Sequence, residues 1–144
     1  MLKGIDPMLN AELLGVLAAM GHGDEIGLVD ANFPASSMAR RLVRYDAIDA
    51  VALLRAVLTL LPLDEFVTDP VQVMEVVGDR AAMPPVVHEF QRAVDAAEGH
   101  AVMIGRIERF AFYERAKQCY ALVATGERRL YGNIILKKGV IKPS

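Results

Sequence analysis

The sequence predicts one α/β domain of three layers, with helices on both faces of a mixed β-sheet. Two observations carry this. Short apolar, β-prone runs alternate along the chain with segments whose apolar residues recur at helical spacing, the order expected of an α/β fold rather than of segregated layers. No linker, internal repeat or low-complexity tract divides the 144 residues, a length that suits one domain with one good core.

Asn10 is placed to cap a first helix in which Leu9, Leu13, Leu17 and Met20 share a face, and Gly21 is its expected stop. Glu25 to Val29 reads as a strand, and Asp30 to Ser37 as a loop because Pro34 bars regular structure. Met38 to Tyr45 alternates loosely, as a strand can. Asp46 to Leu61 is the clearest helix, with Val51, Leu54, Leu58 and Leu61 on one stripe and Pro62 ending it. Val71 to Val77 reads as a strand. Pro84 and Pro85 suit the first turn of a helix that places Val87, Phe90, Val94 and Ala97 on one face and runs to Gly99. Ala101 to Ile107 reads as a strand and Arg109 to Gln118 as a helix. Tyr120 to Thr125 and Asn133 to Lys137 are β-prone, and the turn-like Gly126 to Leu130 between them predicts a closing hairpin.

Composition excludes several classes of function. The net charge is −2, from 16 basic and 18 acidic residues without a like-charge block, which argues against a nucleic-acid or anionic-membrane binder. A hydrophobic fraction of 53% and a mean hydropathy of +0.29 are high for a small chain. The richest region, Ala47 to Pro62, contains Asp49 and Arg55 and so does not read as a membrane span. The opening MLKGIDP has no apolar signal core. Burial between subunits of an oligomer is the simplest outlet for the surplus. Cys119 stands alone, so neither a disulfide framework nor a cysteine zinc cage is expected, and the cytoplasm is the expected compartment.

Chemistry concentrates at MGHGDEIGLVDANFP, Met20 to Pro34, where polar groups gather at both ends of a short apolar strand. His22, flanked by two glycines, can take and give a proton near neutral pH, or it can simply sit at a helix C-terminus facing the dipole. Asp30 follows the strand, where ligands collect in open α/β sheets, or it is a turn aspartate bonding its own backbone. Asp24 and Glu25 are either solvated charges or partners that orient His22. Arg109 opens a helix, against the macrodipole, which suggests a donor to ligand oxygens; the alternative is a salt bridge to Glu108 or Glu114. Tyr131, Gly132 and Asn133 offer donors and acceptors, or only a hairpin turn. His88 and His100 read as structural or solvated. His22 and Asp24 form an H-x-D pair with no second histidine at ligand spacing, which argues against a metal centre. There is no G-x-S-x-G elbow, Walker loop or GxGxxG.

Taken in order, MGHGDEI, VDANFPA, RFAFYERA, TGER and YGNIILKKG resemble the RbsD/FucU sugar mutarotase family, and its fucose branch in particular. The likeness spans essentially the whole chain. The sister branch, D-ribose pyranase, shares GH-x-D and the closing YxN-IIL but typically lacks the FPA and RFAFYER blocks. The resemblance implies the RbsD-like fold and interconversion of the α and β anomers of a free sugar, L-fucose or D-ribose, without cofactor or metal. It implies His22 as the acid/base residue, with Tyr131 as a candidate second proton carrier. Asp30, Arg109, Tyr131 and Asn133 fall on the family's sugar-binding positions. It also implies a ring-shaped homo-oligomer, commonly a decamer, with sites at subunit boundaries. The rival readings are ribose pyranase activity, a non-catalytic sugar-binding or scaffold oligomer, and a metal-assisted isomerase or lyase.

Overall fold

A computed structural model describes residues 1–144 as eleven elements in one sheet and its covering helices. In chain order these are α1 (Ala11–Ala19), β1 (Glu25–Val29), α2 (Ala35–Met38), β2 (Leu42–Tyr45), α3 (Ala50–Leu58), β3 (Val71–Met74), α4 (Pro85–Glu98), β4 (Ile104–Ile107), α5 (Arg109–Gln118), β5 (Ala121–Thr125) and β6 (Ile134–Lys137). The sheet order is β2-β5-β1-β6-β3-β4. β2, β5 and β1 run parallel, as do β3 and β4, and β6 is antiparallel to both β1 and β3. Five strands therefore point one way and β6 alone points back.

Side chains alternate between two cores, as a pleated sheet buried on both faces requires. Ile26, Leu28, Val123, Ile134 and Leu136 enter the larger core with α1, α3 and α4. Val29, Leu122, Ala124 and Ile135 enter the smaller one with α2 and α5. Gly27 lies on the α5 side, where a Cβ would come within 2.6 Å of Leu122 Cδ2. This is the three-layer mixed α/β/α architecture that the sequence predicts.

The strand β1, its polar ends and the helix α5 stand where the sequence places them, and Asn10 caps α1 by accepting from Leu13 N at 2.9 Å. The predicted closing hairpin does not form. β1 is buried on both faces and needs a neighbour on each edge to satisfy its backbone. β5 takes one edge and β6 the other, so the segment between them crosses over the end of β1. Boundaries differ elsewhere for local reasons. Asp49, not Asp46, caps α3 by accepting from Ala52 N, while Asp46 pairs with Arg44. A single helical turn, α2, interrupts the expected loop, and β3 stops at Met74, before a turn in which Asp79 N donates to the Val76 carbonyl. α1 ends with Met20 extended rather than at a glycine cap, and Lys138 Nζ donates to the Leu17 and Met20 carbonyls there.

Candidate active site

Because five strands share a direction, their carboxyl ends and the start of β6 lie on the same side of the sheet. Asp30 follows β1, Arg109 follows β4 as the first residue of α5, and Asn133 precedes β6. With Tyr131 they line a cavity of about 180 Å³ whose other walls include Phe33, Met74, Val77 and Leu130. A larger hollow of about 650 Å³ lies beside Arg55 and Arg92, yet no buried polar group converges on it. Convergent polar groups in an apolar recess, rather than size, make the smaller cavity the candidate ligand site.

Asn133 is buried, and its Oδ1 accepts from Asp30 N at 2.8 Å, which locks the end of β1 to the start of β6. Asp30 Oδ1 accepts from Asn32 N at 2.9 Å, so the turn reading holds for this carboxylate oxygen. Burial pushes the Asp30 carboxyl up from its ordinary value, against the lowering effect of the Asn32 N–H and neighbouring donors. A carboxyl raised in the folded state disfavours folding once the pH exceeds its unfolded value, and the penalty vanishes at pH low enough to protonate both states. Asp30→Asn is therefore expected to raise or preserve the melting temperature at pH 7, with the gain fading in acid. Thermal melts at pH 7 and 4 check this; a melting temperature lowered at pH 7 would contradict it.

Arg109 has no carboxylate partner. Glu108 is occupied as the α5 cap, its Oε2 accepting from Phe110 N at 2.9 Å and Ala111 N at 3.0 Å, and Glu114 pairs with Lys117. The salt-bridge alternative thus fails. The guanidinium lies over the Phe110 ring, 4.7 Å from its centroid, and Nε is buried without a hydrogen-bond partner. An orphan buried donor costs about 1–3 kcal/mol, more when charged, and a ligand oxygen would offset it.

Tyr131 has φ +65°, the left-handed region that a bulky side chain rarely adopts. Such strain costs about 1–3 kcal/mol and persists where surrounding contacts impose it, commonly at functional sites. Tyr131 Oη accepts from Val77 N at 3.1 Å, which leaves its own hydrogen free to donate. The plain hairpin-turn alternative is gone, because no hairpin exists.

His22 lies elsewhere. It precedes β1, so six residue steps of about 3.3 Å from Asp24 to Asp30 put roughly 20 Å between the two ends of that strand. Its Nε2 stands 3.1 Å from Asp64 Oδ1, and its half-exposed ring packs on Phe66 with centroids 5.3 Å apart. Asp64 is buried, and the Phe66 backbone N–H first, then His22, hold its carboxyl below its ordinary value. An ionised carboxylate only accepts, so in the neutral ring Nε2 carries the hydrogen and Nδ1 is the basic nitrogen. Lys138, not His22, faces the α1 C-terminus. Neither expected local partner orients the ring: Asp24 accepts from Gly21 N, and Glu25 receives Arg115 at 2.7 Å.

Sequence reasoning missed Asp64 and Phe66, which come from a stretch that carried no recognisable signal; an aspartate 42 positions from its histidine leaves no local trace. Both other histidines, His88 and His100, are exposed. Burial pushes the Cys119 thiol up to about 12, so it is an inert core residue.

Residues 3–141 match the RbsD/FucU transport protein family. The chain belongs to this family. Among its relatives, an L-fucose mutarotase of Glaesserella parasuis is 49% identical over 140 residues, covering 97% of this chain and 96% of the relative. The fucose mutarotase of Bos taurus is 51% identical, covering 99% and 95%. The solved fucose mutarotase of Streptococcus pneumoniae in complex with L-fucose superposes with a TM-score of 0.89 at 45% identity, covering 98% of this chain and all of that one. Membership in the RbsD/FucU family accounts for the order of the five sequence blocks and for the fold. No helix is long and apolar enough to cross a membrane.

Proposed function

We propose that this protein is an L-fucose mutarotase, an isomerase acting in the cytoplasm that interconverts the α and β anomers of the free sugar by general acid/base chemistry. The observation that carries the reading is a recess with donors and acceptors suited to hydroxyls, Asp30, Arg109 and Asn133, beside apolar walls that suit a deoxygenated carbon. The relatives' names point the same way.

In the proposed reaction His22 Nδ1 takes the proton of the anomeric hydroxyl. The ring C–O bond breaks, its electron pair passes to the ring oxygen, and that oxygen gains a proton from Tyr131 Oη. The resulting aldehyde rotates and recloses on its other face as both protons return. Arg109 and Asp30 hold the remaining hydroxyls by charge-assisted bonds, and Asn133 both donates and accepts.

One subunit cannot bring His22 to the cavity, because both are fixed to opposite ends of β1. We place the complete site between subunits of a ring-shaped homo-oligomer, with a decamer as the expected size. Exposed apolar side chains support this: Val77, Phe110 and Leu130 stand on the cavity side, and Phe66, Met103 and Ile141 on the His22 side. Two different patches at opposite ends suit head-to-tail contacts, which close into rings.

The test is exchange NMR on the anomeric protons of L-fucose and D-ribose with catalytic amounts of protein, together with the mass by light scattering. Exchange faster on fucose and a large oligomer are expected. Faster exchange on ribose would move the chain to the pyranase branch, and no enhancement would leave a sugar-binding scaffold.

A further inference from the structure

Glu127 is a buried carboxylate that lines no part of the cavity, yet it sits at the centre of the segment that carries Tyr131. Its Oε1 accepts from Arg129 N at 3.1 Å and Arg129 Nε at 2.9 Å. Its Oε2 accepts from Arg129 Nη2 at 3.1 Å and, at 3.3 Å, from the N–H of Ala50, the first residue of α3. Its backbone carbonyl accepts from Ala31 N at 2.8 Å, one residue past Asp30. Arg129 reaches on to Glu89 in α4. Gly132 completes the arrangement, since a Cβ there would stand 2.5 Å from Glu127 Cγ, so the Glu127 stem packs directly under the peptide between Tyr131 and Asn133.

We infer that Glu127, with Arg129, is the positioning residue that holds the crossover from β5 to β6 in the shape that presents Tyr131 to the ligand. It ties together the start of α3, the loop after β1 and the crossover, the parts that must agree for Asp30, Tyr131 and Asn133 to face one recess. A left-handed tyrosine relaxes unless its neighbours forbid it. The ion-paired carboxylate beneath Gly132 forbids it here: its two oxygens take four N–H groups, and an amide cannot replace it because one of its two heavy atoms no longer accepts. The inference rests on the mutarotase reading for what the recess binds, but not for the geometry.

The test compares wild type with Glu127→Gln by crystallography, for φ at Tyr131, and by exchange NMR, for KM and kcat on L-fucose. Tyr131 is expected to leave the left-handed region, with KM rising about tenfold and kcat falling about 10²-fold, because Tyr131 Oη gives the ring oxygen its proton. A variant that only melts lower, with Tyr131 and KM unchanged, overturns the inference, as does a KM change with Tyr131 still left-handed. Arg129→Gln, at a half-exposed position, carries the same expectation and serves where Glu127→Gln fails to fold. If wild type does not speed exchange, the mutarotase reading fails while φ at Tyr131 still decides the positioning role.

Discussion

His22→Ala is expected to slow L-fucose anomer exchange by about 10²–10⁴-fold, the usual worth of a positioned acid/base group, while leaving the fold intact. The ring is half exposed and contributes to neither core, so its loss removes little packing. What it removes is the basic Nδ1, held in place by the Nε2 contact to Asp64 and by the Phe66 ring. Asp64→Asn is expected to give a smaller loss, since an amide oxygen still accepts from Nε2 but no longer as a charged partner. Exchange NMR at several enzyme concentrations, beside far-ultraviolet circular dichroism, makes the measurement. Wild-type rates in a folded His22→Ala protein would remove the acid/base assignment.

Mixing two inactive variants is expected to restore activity. In the proposed mechanism His22→Ala lacks the proton carrier and Arg109→Ala lacks the sugar fork, yet each keeps what the other has lost. If a site takes His22 from one subunit and Arg109 from its neighbour, random reassembly of equal amounts leaves about a quarter of the sites fully wild type, since each junction draws two subunits independently. The readout is exchange activity after the two proteins are dissociated and reassembled together, against the same treatment of each alone. Activity no higher than the separate variants would show that each chain builds its own site, and would overturn the intersubunit arrangement.

Much of this molecule is written in local patterns. β1 is legible because a buried strand needs a short β-prone run, and the groups at its ends stand out as polar against it. α5 is legible from its limits, although its cap was not: Glu108 reads as an ion-pair partner for Arg109 until the structure shows it taking two helix N–H groups. The boundaries of α3 and β3 differ from those the sequence predicts because apolar periodicity continues past the residue where a cap or a turn ends the element. The predicted hairpin is absent for a deeper reason. A turn flanked by two strands is the same sequence whether the strands pair with each other or with a third strand laid between them.

By itself, the sequence determined the residue types from which a site can be made: a histidine between glycines, an aspartate after a strand, an arginine at a helix start, and the Tyr-Gly-Asn step. Periodicity and capping rest on interactions within a few residues, so these survive reading one chain from left to right. Only the tertiary structure decided that Asp30, Arg109, Tyr131 and Asn133 share a recess while His22 stands about 20 Å away with Asp64 and Phe66. It also decided that Glu127 lies beneath Gly132. Those outcomes depend on strand order and direction, which are set by which edges of β1 are covered, and that is a property of the packed sheet rather than of any stretch of the chain.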